Sequence, residues 1–178
     1  VLHAMADRIT HRGPDSDGYY MDNDIAMAFR RLSIIDLGTG HQPLYNEDKT
    51  LVLTVTGEIY NYQDLRRELI AAGHIFTTES DSEVLLHGFE QWGEELLPRL
   101  RGMFGFAIWN TVDKSLFLAR DYFGIKPLHY TQLPDGRLIY ASEIKSILLH
   151  PDFVKEFNEK ALDNYLSFQY SVPGETFF

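Results

Sequence analysis

The chain has 178 residues and a formal net charge of −10, with 16 lysine and arginine residues against 26 aspartate and glutamate residues. This acidic balance argues against a nucleic-acid partner or an anionic-membrane partner, because both bind through lysine and arginine. The absence of cysteine excludes disulfides, thiolate metal sites and, within these residues, a cysteine nucleophile.

The first predicted elements are a helix and a hairpin. Residues 1–9 resemble the middle of an amphipathic helix. Residues 19–22 and 25–32 predict two strands around a turn at 22–24, where Asp and Asn tolerate turn geometry. Both chain ends look internal, because residues 170–178 end on aromatic side chains that need a packing partner. We therefore expect a piece of a longer polypeptide.

The central part of the chain predicts one strand followed by helices. Residues 51–56 are β-branched and apolar and predict a strand that ends at Gly57. The expected helices begin at Asn61, with Leu65, Leu69 and Ile70 on the buried face, and at Ser80 or Asp81. A short strand is expected at 74–78, and helices are expected at 80–92 and 94–100. The spacing of Ser80 and Glu83 also predicts a capping box at the start of the first of these helices.

The last third alternates with a period of two and then becomes helical. Four strands of an antiparallel sheet are expected at 102–110, 115–121, 127–133 and 137–142. Helices are expected from Ser142 to Leu149 and from Asn158 to about Phe168. Strands, helices, strands and helices in this order predict an α+β domain with antiparallel sheets covered by helices.

Polar residues gather where these elements meet. They are His11–Asp15, Arg30, Arg31, Gly57, Glu58, Ser80 and Asp81. Arginines and carboxylates together can hold a zwitterion, because a guanidinium binds a carboxylate at two points and carboxylates accept from an ammonium group. Taken singly, each residue is more commonly a solvated charge or a helix cap.

Seven motifs occur in a fixed order: HRGPDSDG, RRLSIIDLGTGHQPLYNE, TGEIYNYQDL, ESDSEVLL, GMFGFAIWN, RDYFGIKPLHY and ASEIKSILLH. From about Arg8 to Leu149 they resemble the glutaminase domain of glutamine-hydrolysing asparagine synthetases, a class II glutamine amidotransferase family. The resemblance implies a four-layer αββα sandwich of the N-terminal-nucleophile hydrolase type. It places this domain at residues 1–157, and residues 158–178 at the start of an ATP-dependent synthetase domain.

The resemblance also implies a reaction. An N-terminal cysteine attacks the side-chain amide of glutamine, ammonia leaves, and water releases glutamate from the thioester. The ammonia passes to a synthetase domain that uses ATP and Mg²⁺ to convert aspartate to asparagine. No cofactor and no metal are expected for the glutaminase part, and a cytoplasmic homodimer without nucleic-acid or membrane partners is expected by family analogy.

Site residues carry over position by position. Arg31 corresponds to the arginine that binds the α-carboxylate of glutamine, and Glu58 and Asp81 to the carboxylates near the α-ammonium group. Asp81 has a second interpretation, because the SDSE motif also predicts a helix N-terminus. Gly57 corresponds to the backbone oxyanion donor. The backbone carbonyls of Leu32 and Ile34 are expected to face the substrate.

Other conspicuous residues are expected to be structural. His11 and Arg12 are expected to brace the site. The histidines at 3, 74, 87, 129 and 150 look scattered, without metal-site spacing. The aromatic residues Phe104, Phe106 and Trp109 are expected in the core.

The chain departs from the family pattern twice. It has no cysteine, so the nucleophile either precedes Val1 or is missing. Thr56 stands where the family has an asparagine whose side chain is the second oxyanion donor, which predicts impaired hydrolysis.

Two alternatives remain open. A class II amidotransferase with a different ammonia acceptor would carry a sugar-isomerase or phosphoribosyl domain after Phe178, whereas a synthetase would carry a pyrophosphatase-type phosphate loop. A non-catalytic glutamine-binding or scaffold domain would retain the fold without the nucleophile.

Overall fold

A computed structural model describes residues 1–32, 41–170, 172 and 174–178, and within them the chain is an α+β domain with antiparallel sheets. The strands are β1 Ser16–Met21, β2 Ala26–Arg31, β3 Leu44–Tyr45, β4 Leu51–Ile59, β5 Gly102–Asn110, β6 Ser115–Arg120, β7 His129–Gln132 and β8 Leu138–Ala141. The α-helices are α1 Leu2–Asp7, α2 Tyr62–Ala71, α3 Glu83–Trp92, α4 Ile144–Ile147 and α5 Glu159–Phe168. Residues Thr10–Arg12 and Gly93–Arg99 form 3₁₀ turns.

The predicted hairpin is confirmed as β1 and β2, which pair with Ser16 opposite Arg31. Its turn is organised by Asp22, whose Oδ1 accepts from the backbone N–H groups of Asp24 (2.7 Å) and Ile25 (2.9 Å). The other oxygen accepts from Trp109 Nε1 at 2.8 Å, which joins the hairpin to β5. An aspartate that satisfies its own turn therefore also fixes the hairpin on the central sheet.

The central sheet has the order β3-β4-β5-β6 and is antiparallel throughout. The expectation that β4 ends at Gly57 is wrong, because the strand continues to Ile59 and pairs Gly57 with Phe104. A glycine permits this continuation, since a Cβ at position 57 would lie only 2.0 Å from the carbonyl oxygen of Met103.

The predicted four-stranded sheet of the last third is only partly correct. Strands β5 and β6 belong to the central sheet, whereas β7 and β8 form a separate two-stranded ladder in the described residues. The alternation of apolar and polar residues identified each strand, but it carried no information on which strands pair with each other.

The core lies on both faces of the central sheet. The side chains of Phe104, Phe106 and Ile108 point to the face covered by α2 and α3. Ala107 and Trp109 point to the other face, toward Met27 of β2. Because neighbouring residues in a strand point to opposite faces, one strand supplies both cores. The prediction that Phe104, Phe106 and Trp109 are core residues is confirmed.

The helices follow the predicted order with local differences. In α2, Leu65 and Leu69 are buried as expected, but Ile70 is 52% exposed. Residues 74–78 do not form the expected strand. The helices expected at 94–100 and from Ser142 are a 3₁₀ turn and the short α4.

Helix α5 begins as predicted, because the side chain of Asn158 accepts from the Ala161 N–H. The chain end returns to this helix: Phe177 stacks on Phe157 and meets Tyr165 edge-on. The aromatic end therefore finds part of its packing partner within the chain. Among the described helices, none has the length and apolarity needed to cross a membrane.

Candidate functional site

A polar cavity of about 130 Å³ lies between the end of β2, the second half of β4 and the turn that precedes α3. It collects the principal residues singled out from the sequence, although they are far apart in the chain. Those that matter chemically are Arg31, Thr56, Gly57, Glu58, Asp81 and Lys126.

Arg31 reaches the cavity because a tight backbone contact fixes the end of β2. Gly13 packs against the peptide between Arg30 and Arg31, and a Cβ at position 13 would lie 2.4 Å from the Arg30 carbonyl carbon. The Asp15 N–H then donates to the Arg31 carbonyl at 3.0 Å. With only 6% of its surface exposed, Arg31 is a buried cation at the cavity wall. The close contact of Gly13 with β2 explains why the HRGPD segment contains a glycine and lies close to the cavity.

The backbone of Gly57 faces the cavity from β4. Its φ of 144° lies in the region that favours glycine. Thr56 precedes it and is half-buried at the same wall. A backbone amide on a rigid strand is a suitable donor to an oxyanion, because it is already oriented when charge develops.

Asp81 is a buried carboxylate, 4% exposed, in the turn before α3. Its Oδ2 accepts from the Ile59 N–H at 2.6 Å, and the hydroxyls of Ser80 and Ser82 lie 3.5 Å from Oδ1. Burial raises the pKa of Asp81 above its ordinary value, and these hydrogen bonds offset only part of the effect.

The predicted capping box is wrong. Within the described residues, α3 begins at Glu83 after Ser82, which makes no side-chain cap. The side chain of Glu83 instead accepts from the backbone and hydroxyl groups of Thr77 and Thr78 at 2.7–2.9 Å. Asp81 is thus held toward β4 rather than serving as the helix cap.

Glu58 is the second carboxylate of the cavity wall and is half-buried. Burial raises its pKa, the negative charge of Asp81 raises it further, and Lys126 opposes the shift. Two carboxylates whose pKa values are both raised are incompletely compensated. A cationic group bound in the cavity would therefore be stabilised by both.

Lys126 was missed from the sequence, although it lies in the quoted GIKPL motif. Its position depends on Asp121, whose oxygens accept from the backbone N–H groups of Ile125 and Lys126 at 2.9 Å and of Phe104 at 3.2 Å. An aspartate followed by a glycine-containing turn is the signal that could have indicated this arrangement.

Gln42 was also missed. Its amide oxygen accepts from the Val55 N–H at 2.7 Å, and its amide nitrogen donates to the Val55 carbonyl at 3.0 Å. The side chain thereby pairs with β4 as a neighbouring strand would, next to the cavity.

Of the two adjacent arginines, Arg30 also lines the cavity, but its guanidinium is engaged by groups outside it. Its guanidinium contacts Asp7, Asp17 and the Ala6 carbonyl, which ties β2 to α1. The geometry therefore favours Arg31, and not Arg30, as the arginine that binds the carboxylate of a zwitterion.

His11 and Arg12 both contact Glu143, at 3.2 and 3.3 Å. These contacts tie the 3₁₀ turn to the residue before α4, which agrees with a bracing role. Arg12 also reaches the cavity wall.

Leu32 lies at the cavity wall and is 56% exposed. Ile34, the other residue expected to offer a backbone carbonyl, lies outside the described residues. The expectation that the histidines are scattered is wrong for one pair: the rings of His74 and His87 lie 5.2 Å apart.

Comparisons with known proteins agree with these features. A family profile described as "Glutamine amidotransferase domain" matches residues 1–178. Asparagine synthetase [glutamine-hydrolyzing] 1 of Bacillus subtilis is 50% identical over 97% of this chain and 27% of its own length. The asparagine synthetase [glutamine-hydrolyzing] of Zea mays is 47% identical over 80% of this chain and 24% of its own length. The chain thus spans about a quarter of the length of these relatives.

A solved structure of an amidotransferase is similar to this chain in fold. The glutamine phosphoribosylpyrophosphate amidotransferase of B. subtilis, in complex with ADP and GMP, is 26% identical and superposes with a TM-score of 0.58. The match covers 70% of this chain and 29% of that chain.

Proposed function

Because the chain belongs to the glutamine amidotransferase domain family, we propose that its polar cavity binds glutamine for hydrolysis to glutamate and ammonia. The observation that carries this proposal is the convergence of Arg31, Gly57, Glu58 and Asp81 on one small cavity. A cation on one wall and two carboxylates on another complement the two charged groups of a free amino acid.

Each residue takes a role in this proposal. The guanidinium of Arg31 binds the α-carboxylate of glutamine, for which its planar donors are suited. Glu58 and Asp81 bind or orient the α-ammonium group, and the raised pKa values of both carboxyls favour a cationic partner. The backbone carbonyls of Leu32 and Ile34 supply further acceptors.

The chemical step requires a nucleophile and an oxyanion site. A thiolate at the start of a longer form attacks the side-chain amide carbon, and the oxyanion that forms accepts a hydrogen bond from the Gly57 N–H. The amide nitrogen gains a proton and leaves as ammonia, and water then hydrolyses the thioester to glutamate and the free thiol. Thr56 stands in the place of the second donor and makes this stabilisation weaker. We propose that the domain that carries this site is a four-layer αββα sandwich, with two antiparallel sheets between helix layers.

The relatives support a wider setting for this site. We propose that residues 1–157 form the amidotransferase domain and residues 158–178 the beginning of a synthetase domain. The contact of Phe177 with Tyr165 lies within the second range, whereas its stacking on Phe157 joins the two ranges. Ammonia then serves the ATP-dependent and Mg²⁺-dependent conversion of aspartate to asparagine in a cytoplasmic homodimer. No cofactor acts in the glutaminase reaction.

Calorimetric titration with glutamine tests the binding site. Arg31→Ala should weaken binding by roughly 2–5 kcal/mol, the cost of removing one partner of a desolvated charge pair. Arg31→Lys should recover only part of this loss. The matched control is Arg99→Ala, since Arg99 is ion-paired with Glu68 and stacked on Trp92.

Unchanged glutamine binding together with lower stability in both Arg31 variants would make Arg31 a structural ion-pair residue and would contradict the proposed cavity. Turnover is tested separately. The 178-residue chain should bind glutamine without releasing glutamate, because it has no thiol. Glutamate release by this chain alone would contradict the thiol mechanism.

A second candidate function is glutamine binding without catalysis. Thr56 favours it, because a hydroxyl is shorter than the amide that it replaces and reaches less far into the cavity. A longer form that begins with cysteine distinguishes the two. Hydrolysis supports the amidotransferase, whereas binding without hydrolysis supports a glutamine-binding or scaffold domain.

A further inference from the structure

Two histidines and two glutamates form a compact cluster away from the glutamine cavity. We call Glu47, His74, His87 and Glu90 the His–Glu cluster; one ligand atom from each lies within 4.8 Å of all the others. Glu47 comes from the turn between β3 and β4, His74 follows α2, and His87 and Glu90 lie one turn apart on α3. The described lining of the glutamine cavity includes none of the four.

The distances within the cluster are longer than hydrogen bonds. His87 Nδ1 lies 3.6 Å from Glu47 Oε2 and 3.8 Å from Glu90 Oε2, and His74 Nδ1 lies 3.6 Å from the same Glu90 oxygen. Hydrogen bonds between such atoms span about 2.7–3.2 Å. Two donors on a tetrahedral Zn²⁺ with bonds near 2.1 Å lie about 3.4 Å apart. These three separations are closer to the second arrangement, and the remaining pairs lie within 4.8 Å.

The buried side chain of His87 provides independent evidence for a cation site. The residue is 1% exposed, and among the described side chains its Nδ1 is a buried polar atom without a hydrogen-bond partner. Its Nε2 lies 3.4 Å from the buried Glu83 carboxylate. Because a carboxylate accepts, it places the ring proton on Nε2 and leaves the Nδ1 lone pair directed into the cluster.

The other ligand atoms are oriented in the same way. His74 Nε2 lies 3.0 Å from the amide oxygen of Gln91, which again leaves Nδ1 free. Glu47 Oε1 accepts from the Ile75 N–H at 2.9 Å, so its Oε2 faces His87. Histidines that bind metals commonly donate their second ring nitrogen to a carboxylate or carbonyl in this manner.

We propose that the His–Glu cluster binds one divalent transition-metal ion, with Zn²⁺ as the best match. Two imidazoles and two carboxylates are suitable ligands for Zn²⁺, whereas Ca²⁺ and Mg²⁺ prefer all-oxygen sites. The four protein ligands leave no open position, so the ion has a structural role.

The ion stabilises the segment that leads to Asp81. It joins the turn before β4, the chain after α2 and the middle of α3. His87 contacts Glu83, and Glu83 binds Thr77 and Thr78. The Thr78 hydroxyl then accepts from the Ser80 N–H at 3.1 Å. The ion is thus connected to the cavity by packing and hydrogen bonds and takes no part in glutamine chemistry.

Metal titration of the untagged 178-residue chain tests the site. After treatment with a chelator, Zn²⁺ should bind in a 1:1 ratio in a competition assay with a chromophoric chelator and should raise the melting temperature. Co²⁺ should give the intense visible absorption of a tetrahedral site. His74→Ala and Glu90→Gln change partly exposed ligands and should each weaken Zn²⁺ binding at least about tenfold.

The matched controls are His150→Ala and Glu94→Gln, which remove the same side-chain types elsewhere and should bind Zn²⁺ like the parent. Zn²⁺ binding that is unchanged in His74→Ala and Glu90→Gln would overturn the proposal. So would the absence of saturable 1:1 binding, which would leave the four side chains as neighbours that bind no ion. Neither result depends on glutamine binding.

Discussion

Asp81 and Asp121 expose nearly the same fraction of their surface, 4% and 5%, yet their pKa values shift in opposite directions. Asp81 accepts one short backbone hydrogen bond and has two hydroxyls at 3.5 Å. Asp121 accepts backbone hydrogen bonds from Lys126, Ile125 and Phe104, which outweigh burial and lower its pKa. Asp81 is the more deeply buried carboxylate and has fewer good donors, so both burial and hydrogen bonding separate the two aspartates.

The difference distinguishes a binding carboxylate from a structural one. Asp121 is satisfied by the protein and holds the turn that carries Lys126. Asp81 and its neighbour Glu58 are not fully satisfied, so the folded protein bears an electrostatic cost that a cationic ligand removes. We therefore expect changes at Asp121 to affect stability and changes at Asp81 to affect glutamine binding.

The largest effect is expected from Asp121→Ala. The variant leaves the buried N–H of Phe104 and the partly buried N–H groups of Ile125 and Lys126 without their acceptor, and a buried unpaired group costs roughly 1–3 kcal/mol. We expect a loss of about 3–5 kcal/mol in the free energy of unfolding, measured by urea denaturation. Asp121→Asn keeps one acceptor oxygen and should lose less. If Asp121→Ala were no less stable than the parent, the contrast with Asp81 would fail.

Asp81→Asn should show the opposite profile. Glutamine binding should weaken by roughly 2–4 kcal/mol, since a buried charge on the ligand ammonium loses its partner. The raised pKa means that ionised Asp81 destabilises the fold at neutral pH, so a neutral side chain should cost little stability. Calorimetry and thermal melting together check this, and a large loss of stability with intact binding would contradict it.

Glu83→Gln tests the pH dependence of the structural carboxylates. Burial alone would raise the pKa of Glu83, but His87, Thr77 and Thr78 lower it to about 2. Because the pKa of Glu83 is lower in the folded protein than the ordinary value of 4.5, its ionised carboxylate stabilises the fold at pH values above 4.5. This contribution to the free energy of unfolding disappears as the pH falls from about 4.5 to 2.

The variant should therefore be roughly 1–3 kcal/mol less stable at pH 7, and the difference should diminish at pH 3. Denaturation curves at the two pH values measure it. Equal destabilisation at both would show that the charge of Glu83 is not involved.

The smallest expected change in free energy concerns Thr56→Asn in a longer form that begins with cysteine. Restoring a second oxyanion donor should raise kcat for glutamine hydrolysis at least about tenfold, a cautious share of the usual effect of such a donor. KM should change much less, because the donor acts on charge that develops in the transition state. An unchanged kcat in steady-state curves would show that the threonine hydroxyl is sufficient.

The sequence predicted most element positions, because periodicity and caps such as Asn158 are local. It did not predict that β4 continues through Gly57, since that depends on the close approach of Met103 from another strand. It also did not separate β7 and β8 from the central sheet, because pairing is a non-local property.

The site was predicted in a similarly uneven way. Motif resemblance identified Arg31, Gly57, Glu58 and Asp81, which line one cavity. Lys126 was missed although it lies in a quoted motif, because its approach to Glu58 depends on the folded chain. The pairing of His74 with His87 was missed because the two residues belong to different segments without a shared motif. Residue type and spacing indicate which residues are candidates for the site. The number of hydrogen-bond donors around each carboxylate can be read only from the folded chain.

The most direct test of this account is the pH titration of the carboxyl carbons of Asp81 and Asp121 by NMR, with and without glutamine. Asp81 should titrate above the ordinary aspartate pKa in the free protein, Asp121 should titrate below it, and glutamine should lower the pKa of Asp81 alone. Similar pKa values for the two aspartates, or an Asp81 that glutamine does not affect, would contradict the account.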